Sequence, residues 1–193
     1  MKVAIIKYNA GNIHSVRLAL QRLDIDPIVT DDPKLISEAD KVIFPGVGEA
    51  SSAMEYLKQR KLDQLLLDLK QPVLGICLVL QLMCRWSEEN NTDCLDIFKL
   101  NVRKFPPEKK VPHMGWNTIT KLNSKLFNGV PENSYVYFVH SFFAEYLPEA
   151  IANTDYIGRF SSSLESNNYY AVQFHPEKSG KIGEKILKNF LEL

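Results

Sequence analysis

Neither sign of charge is in excess in this chain: 23 Lys and Arg stand against 23 Asp and Glu, a formal net charge of +0. Domains that grip nucleic acid or an anionic membrane surface concentrate basic charge, so neither partner is expected. Long apolar runs are missing too, and no stretch approaches the roughly 20 residues that a bilayer crossing needs. The opening residues, MKVAIIKYNAG, have too short an apolar core for a secretory signal and read as a first strand. Cysteine is scarce. Cys77, Cys84 and Cys94 form neither a CxxC pair nor a zinc pattern, and an odd number of thiols suits a reducing, cytoplasmic setting. No cluster suggests a metal, and no cofactor is expected. Internal repeats and linkers rich enough to divide the chain are also lacking, so residues 1–193 are expected to form one domain with an ample core.

What the chain does have is organised around residues 71–85, QPVLGICLVLQLMCR. Val73, Leu74 and Ile76 form a short apolar run, after which Leu78, Leu82 and Met83 follow a helical spacing. This reads as a buried strand turning sharply into a helix. Cys77 lies on the turn, the geometry of a nucleophile elbow, where the start of a helix favours thiolate. For a lone cysteine, a buried core role is the simpler reading. Two distant stretches alter that balance.

Gln173-Phe-His175-Pro-Glu177 is the first. Pro176 holds His175 extended, and residues two apart on extended backbone face one side. Cys77, His175 and Glu177 then supply nucleophile, base and orienting carboxylate. The second is Pro45-Gly-Val-Gly48 after a buried strand. Its backbone N–H groups, with that of Leu78, suit a developing oxyanion. It lacks the full G-x-G-x-x-G of a dinucleotide site.

Around these stretches, Val3–Ile6, 27–30 and 41–44 read as strands. Residues 13–23 and 51–70 read as helical, the latter broken near Arg60. This alternation predicts a parallel sheet covered on both faces. Later, 98–105, 115–122, 134–139, 151–159 and 169–174 read as extended, 161–168 as a polar turn and 180–193 as an amphipathic helix. Antiparallel strands added to the same sheet are therefore expected. Met114 and Trp116 read as packing residues, and Cys84 as core.

The motif Gly75-Ile-Cys77-Leu-x-x-Gln81 with a distant His-Pro-Glu resembles the class I, triad-type glutamine amidotransferases. Tyr8-x-x-Gly-Asn12, Pro45-Gly-Val-Gly48, Pro112-His-Met-Gly-Trp-Asn117, Tyr137-Phe-Val-His-Ser141 and Gln173-Phe-His-Pro-Glu-Lys-Ser179 are similar, within them, to the glutaminase subunits of imidazole glycerol phosphate synthases. The resemblance covers the whole chain. It implies a flavodoxin-like three-layer α/β sandwich with a mostly parallel central sheet and antiparallel additions. It also implies release of ammonia from glutamine through a cysteinyl thioester on Cys77, with His175 as base and acid and Glu177 as orienter. Val47, Gly48 and Leu78 would hold the oxyanion; Gly46, Gln81 and Ser141 would surround glutamine. Asn12, Tyr137 and Lys178 would face a (β/α)8-barrel cyclase that receives the ammonia in histidine biosynthesis.

Three positions depart from that pattern. Val79 stands where the family carries glycine, and a β-branched residue there is expected to crowd the elbow and slow glutaminase chemistry. In the extreme it would leave a non-catalytic scaffold. Lys7 and Asn9 replace the family's usual Asp and Gly near the first loop. A glutaminase serving another amidotransferase is the other alternative, and the Pro112–Asn117 motif weighs against it.

Overall fold

The structure is a computed structural model and describes residues 1–8 and 12–193. Asn9, one of the three departures from the family pattern, lies outside the described residues. In chain order the elements are β1 (Val3–Ile6), α1 (Ile13–Gln21), β2 (Ile28–Thr30), α2 (Pro33–Ser37), β3 (Lys41–Gly46), α3 (Ala50–Gln59), α4 (Leu62–Asp68), β4 (Val73–Cys77) and α5 (Leu78–Met83). They continue with β5 (Trp86–Ser87), β6 (Thr92–Asp93), β7 (Asn101–Lys104), β8 (His113–Ile119), β9 (Ser134–His140), β10 (Phe142–Ala144), β11 (Ala152–Tyr156), β12 (Gly158–Ser166), β13 (Tyr169–Val172) and α6 (Gly180–Leu191).

The large sheet runs β2-β1-β3-β4-β13-β12-β10-β7-β5-β6, with β11 beside β12. The first five strands are all parallel. From β13 outward β12, β10 and β7 are antiparallel. Alternate residues of the parallel strands enter two separate cores, as strand geometry dictates. Ala4, Ile6, Val42 and Phe44 pack with α3 to α5 on one face. Val3, Ile5, Ile43, Leu74 and Ile76 pack with α1 and α6 on the other. The result is the expected three-layer mixed α/β sandwich. Strands β8 and β9 form a separate two-stranded sheet whose inner residues, Val136 and Phe138, join the second core.

Lys61 adopts a left-handed conformation (φ 57°) that separates α3 from α4, close to the expected break at Arg60. The turn expected over 161–168 is confined to Asn167 and Asn168. Strand β12 runs through Ser166, and Ser161, Ser162 and Ser163 are fully buried. Two of these hydroxyls replace apolar packing with hydrogen bonds, Ser161 to the Glu145 carbonyl at 2.8 Å and Ser163 to that of Ala171 at 2.7 Å, while Ser162 Oγ has no partner among the described residues. Met114 and Trp116 are also corrected. Both are 56% exposed, because the pleat of β8 turns His113 inward and these two outward.

Candidate active site

The C-terminal ends of three neighbouring parallel strands build the site. Gly46 of β3 pairs with Cys77 of β4, while Val172 of β13 pairs with Ile76. Ligands of open α/β sheets bind at this edge. Cys77 has φ 56° and ψ −109°, a conformation a non-glycine residue rarely takes, so the chain does turn sharply from β4 into α5. The next helix packs so closely on β4 that a Cβ on Gly75 would lie 2.9 Å from a Val79 methyl.

His175 follows β13 and is extended (φ −99°, ψ 96°), as Pro176 requires. The chain then enters a 3₁₀ turn, Pro176–Lys178, rather than continuing extended. The turn brings Glu177 back under the imidazole. His175 Nδ1 lies 2.8 Å from Glu177 Oε1, with both side chains buried. Asn12 Nδ2 donates to the same oxygen at 3.0 Å. His175 Nε2 is buried and has no hydrogen-bond partner among the described residues. Burial opposes charge on this ring, but Cys77 and Glu177 outweigh it and push the pKa up to about 10. The site thus favours the imidazolium form of His175.

A cleft of about 350 Å³ is lined by Cys77, His175, Val47, Gly48, Leu78, Gln81 and Ser141. Seven of the residues proposed from sequence therefore share one cavity. Gly46 lies behind it in β3, where a Cβ would come 2.7 Å from Val79 Cγ2. Tyr137 and Lys178 are on the adjoining surface. Lys178 Nζ sits 5.9 Å from the Tyr137 ring centre, and Trp116 packs edge-on to Tyr137 at 6.0 Å.

The sequence reading missed several groups at this cleft. Glu89 lines it, and Oε2 accepts from Ala50 N at 2.7 Å; burial raises its pKa. Nothing in its polar loop signals this. His140, Phe142 and Val139 line it as well. Gln173 is fully buried, with Nε2 at 3.7 Å from Cys77 Sγ. Its spacing two residues before His175 carried that signal. Among the described residues no group of three His, Cys, Asp or Glu could hold a metal ion, and no helix is long and apolar enough to cross a membrane.

A strained thiol-bearing elbow, faced by a buried His–Glu pair at the carboxyl edge of a parallel sheet, is the architecture of a triad-type cysteine hydrolase. The model of the glutamine amidotransferase class-I family matches residues 5–193. Imidazole glycerol phosphate synthase subunit HisH of Bacteroides thetaiotaomicron is 58% identical over 196 residues, covering 100% of both chains. The same-named subunit of Blochmanniella floridana is 46% identical with equal coverage. Among solved structures, a glutamine amidotransferase aligns with TM-score 0.74 at 16% identity, over 100% of this chain and 98% of that one. PurLQS from Thermotoga maritima aligns with TM-score 0.73 at 14% identity, over 99% and 97%. The structural likenesses establish the fold. The chain belongs to the class-I glutamine amidotransferase family and, within it, to the family of imidazole glycerol phosphate synthase HisH subunits.

Proposed function

We propose that this chain, acting as one domain in the cytoplasm, is the glutaminase of an imidazole glycerol phosphate synthase. It hydrolyses glutamine to glutamate and ammonia and delivers the ammonia to a barrel cyclase subunit. The observation that carries the chemistry is the convergence of Cys77, His175 and Glu177 on one cleft.

In the proposed sequence, the Cys77 thiolate attacks the side-chain amide carbon of glutamine. The carbonyl electrons move onto oxygen, where the Leu78 and Gly48 N–H groups meet the charge. The Tyr8 hydroxyl accounts for the Gly48 orientation: it holds the Val47 carbonyl at 2.6 Å, so the trans peptide turns the Gly48 N–H away from Tyr8. Collapse breaks the C–N bond, and His175 gives its proton to the departing ammonia. The neutral imidazole then takes a proton from water, which hydrolyses the thioester and returns Cys77. Glu177 holds the ring. Glu89, the acidic group at the far side of the cleft, suits the α-ammonium of the substrate. Gln81 and Ser141 complete the surroundings of the bound amino acid.

Asn12, Tyr137 and Lys178 are proposed to face the cyclase, together with exposed Trp116 and Met114. The chain alone should be nearly silent, since ammonia made without an acceptor is wasted. Glutamate release is therefore measured with this chain, a barrel cyclase and the cyclase's nucleotide ligand. A large ligand-dependent increase supports the reading; its absence, with no labelling of Cys77 by a glutamine-like electrophile, favours a scaffold instead.

A further inference from the structure

We infer that Gln173 is a further catalytic residue: its side-chain amide donates an N–H to the Cys77 sulfur and stabilises the thiolate. This rests on the reading of Cys77 as the nucleophile.

Among the described residues, two polar atoms lie within hydrogen-bond reach of the sulfur besides the open cleft. Val139 O lies at 3.8 Å and only accepts, so it serves the thiol. Gln173 Nε2 lies at 3.7 Å and only donates, so it serves the thiolate. The amide can contact sulfur through either end, and only the nitrogen end helps an anion. The orientation is decided by a chain of groups whose polarity is forced, starting from a backbone carbonyl.

The Phe142 carbonyl has no proton to give. His140 Nδ1, 2.8 Å from it, must therefore carry hydrogen, and so must the end of Gln81 that approaches at 2.9 Å. Gln81 Nε2 also lies 3.0 Å from Gln173, which must present its oxygen there. The remaining end of Gln173, turned to Cys77, is then the nitrogen. On the other side, His140 Nε2 is left as an acceptor, so His113 Nδ1, 3.0 Å away, supplies the proton. Asn117 Nδ2 closes the chain on His113 Nε2 at 3.3 Å. Gln81, Gln173, His113 and His140 are all buried, so water does not compete for these roles. The Phe142 carbonyl, acting through Gln81, thereby fixes which end of the Gln173 amide meets the nucleophile, and two residues of the Pro112–Asn117 stretch end the other branch.

The test is the pH dependence of Cys77 alkylation by iodoacetamide, which needs neither glutamine nor a cyclase. The other groups facing the sulfur are His175 and Tyr8, and Glu89 lines the same cleft; all remain in Gln173→Met. Hydrogen bonds to charged groups are stronger than those between neutral groups, and sulfur at this distance lies at the weak end of that range. The alkylation profile of folded Gln173→Met should therefore move up by about one pH unit, with the rate on the acid limb of the profile falling about tenfold. In the cyclase-activated enzyme, kcat should fall while KM stays. A second measurement, independent of how the variant folds, follows the side-chain amide resonances of Gln173 in the unsubstituted chain. They should move with the thiolate's titration and lose that movement in Cys77→Ala. An unchanged alkylation profile in folded Gln173→Met, or amide resonances indifferent to the thiolate, would overturn the proposal. Loss of glutamine turnover with this alkylation behaviour intact would count only against the glutaminase reading.

Discussion

The Tyr8 hydroxyl donates to the Val47 carbonyl at 2.6 Å, tying the end of β1 to the loop after β3. Burial, reinforced by the charge of Cys77, pushes the phenol's pKa far up, so it remains a donor throughout the working range. The ring is held separately, edge-on to Phe44 at 5.7 Å and to Tyr56 at 5.9 Å. Tyr8→Phe therefore keeps the packing and removes only the clamp on the Val47–Gly48 peptide. Losing an oxyanion donor outright costs a factor of about 100 to 1000. Loosening one should cost less: cyclase-activated kcat should fall about tenfold with KM within twofold. Unchanged kcat would remove Tyr8 from the oxyanion argument.

Asn12 is a second positioning residue. Its Nδ2 and His175 Nδ1 share one oxygen of Glu177, whose other oxygen is buried without a partner among the described residues. Asn12→Ala withdraws a donor from a buried carboxylate, which costs about 1–3 kcal/mol. The urea midpoint should drop accordingly, and kcat should fall several-fold as the imidazole loses its fixed support. Asn12→Asp should be worse on both counts, because it places two carboxylates together. Equal behaviour of the two variants would show that Asn12 acts only at the partner surface.

The elbow and the triad were legible because their signals are local. Apolar spacing switches period at Cys77, Gly75 accommodates the packed helix, and Pro176 restricts His175. The buried serines of β12 were illegible, since a serine run has no hydrophobic period and its burial depends on carbonyls from β13 and the loop after β10. Likewise, the inward histidine and outward tryptophan of β8 follow from which face the second core covers. Sequence fixes the alternation of β8 but not its sign. The polar chain from Asn117 to Gln173 joins residues from β8, β9, α5 and the end of β13, so no spacing within one segment could reveal it.

Three histidines set opposite pH slopes. Burial lowers His113 to about 4, and burial, with like charge on His113 and His175, lowers His140 to about 3. Folded, both stay neutral; unfolded, both take protons near 6.5. Stability is therefore present above that value and lost as pH falls toward 4 and 3, by up to about 1.4 kcal/mol per pH unit for each ring. His175 has the opposite sign. Its raised pKa contributes stability below about 6.5 that is lost as pH rises toward about 10. Urea midpoints should thus peak near neutrality, and His113→Gln should flatten the acid slope between pH 6.5 and 5. An identical acid slope in that variant would deny its burial in the neutral form.

Val79 tests how the elbow tolerates a β-branched residue. Its side chain is fully buried, and its two methyls lie 2.7 and 2.9 Å from where Cβ atoms on Gly46 and Gly75 would stand. The valine thus occupies space that two glycines leave open, on the core side of β3 and β4, and Val79 does not line the cleft. Crowding of the elbow that slows glutaminase chemistry, the sequence expectation, is not what these contacts favour; they favour bracing of the strand behind the proposed oxyanion loop. Val79→Gly removes a buried side chain and places glycine in a helix, costs of about 2–3 and 1 kcal/mol respectively. Thermal or urea stability should fall by roughly that sum, while kcat and KM for glutamine stay within about threefold. A large gain in turnover at little loss of stability would instead restore the crowded elbow.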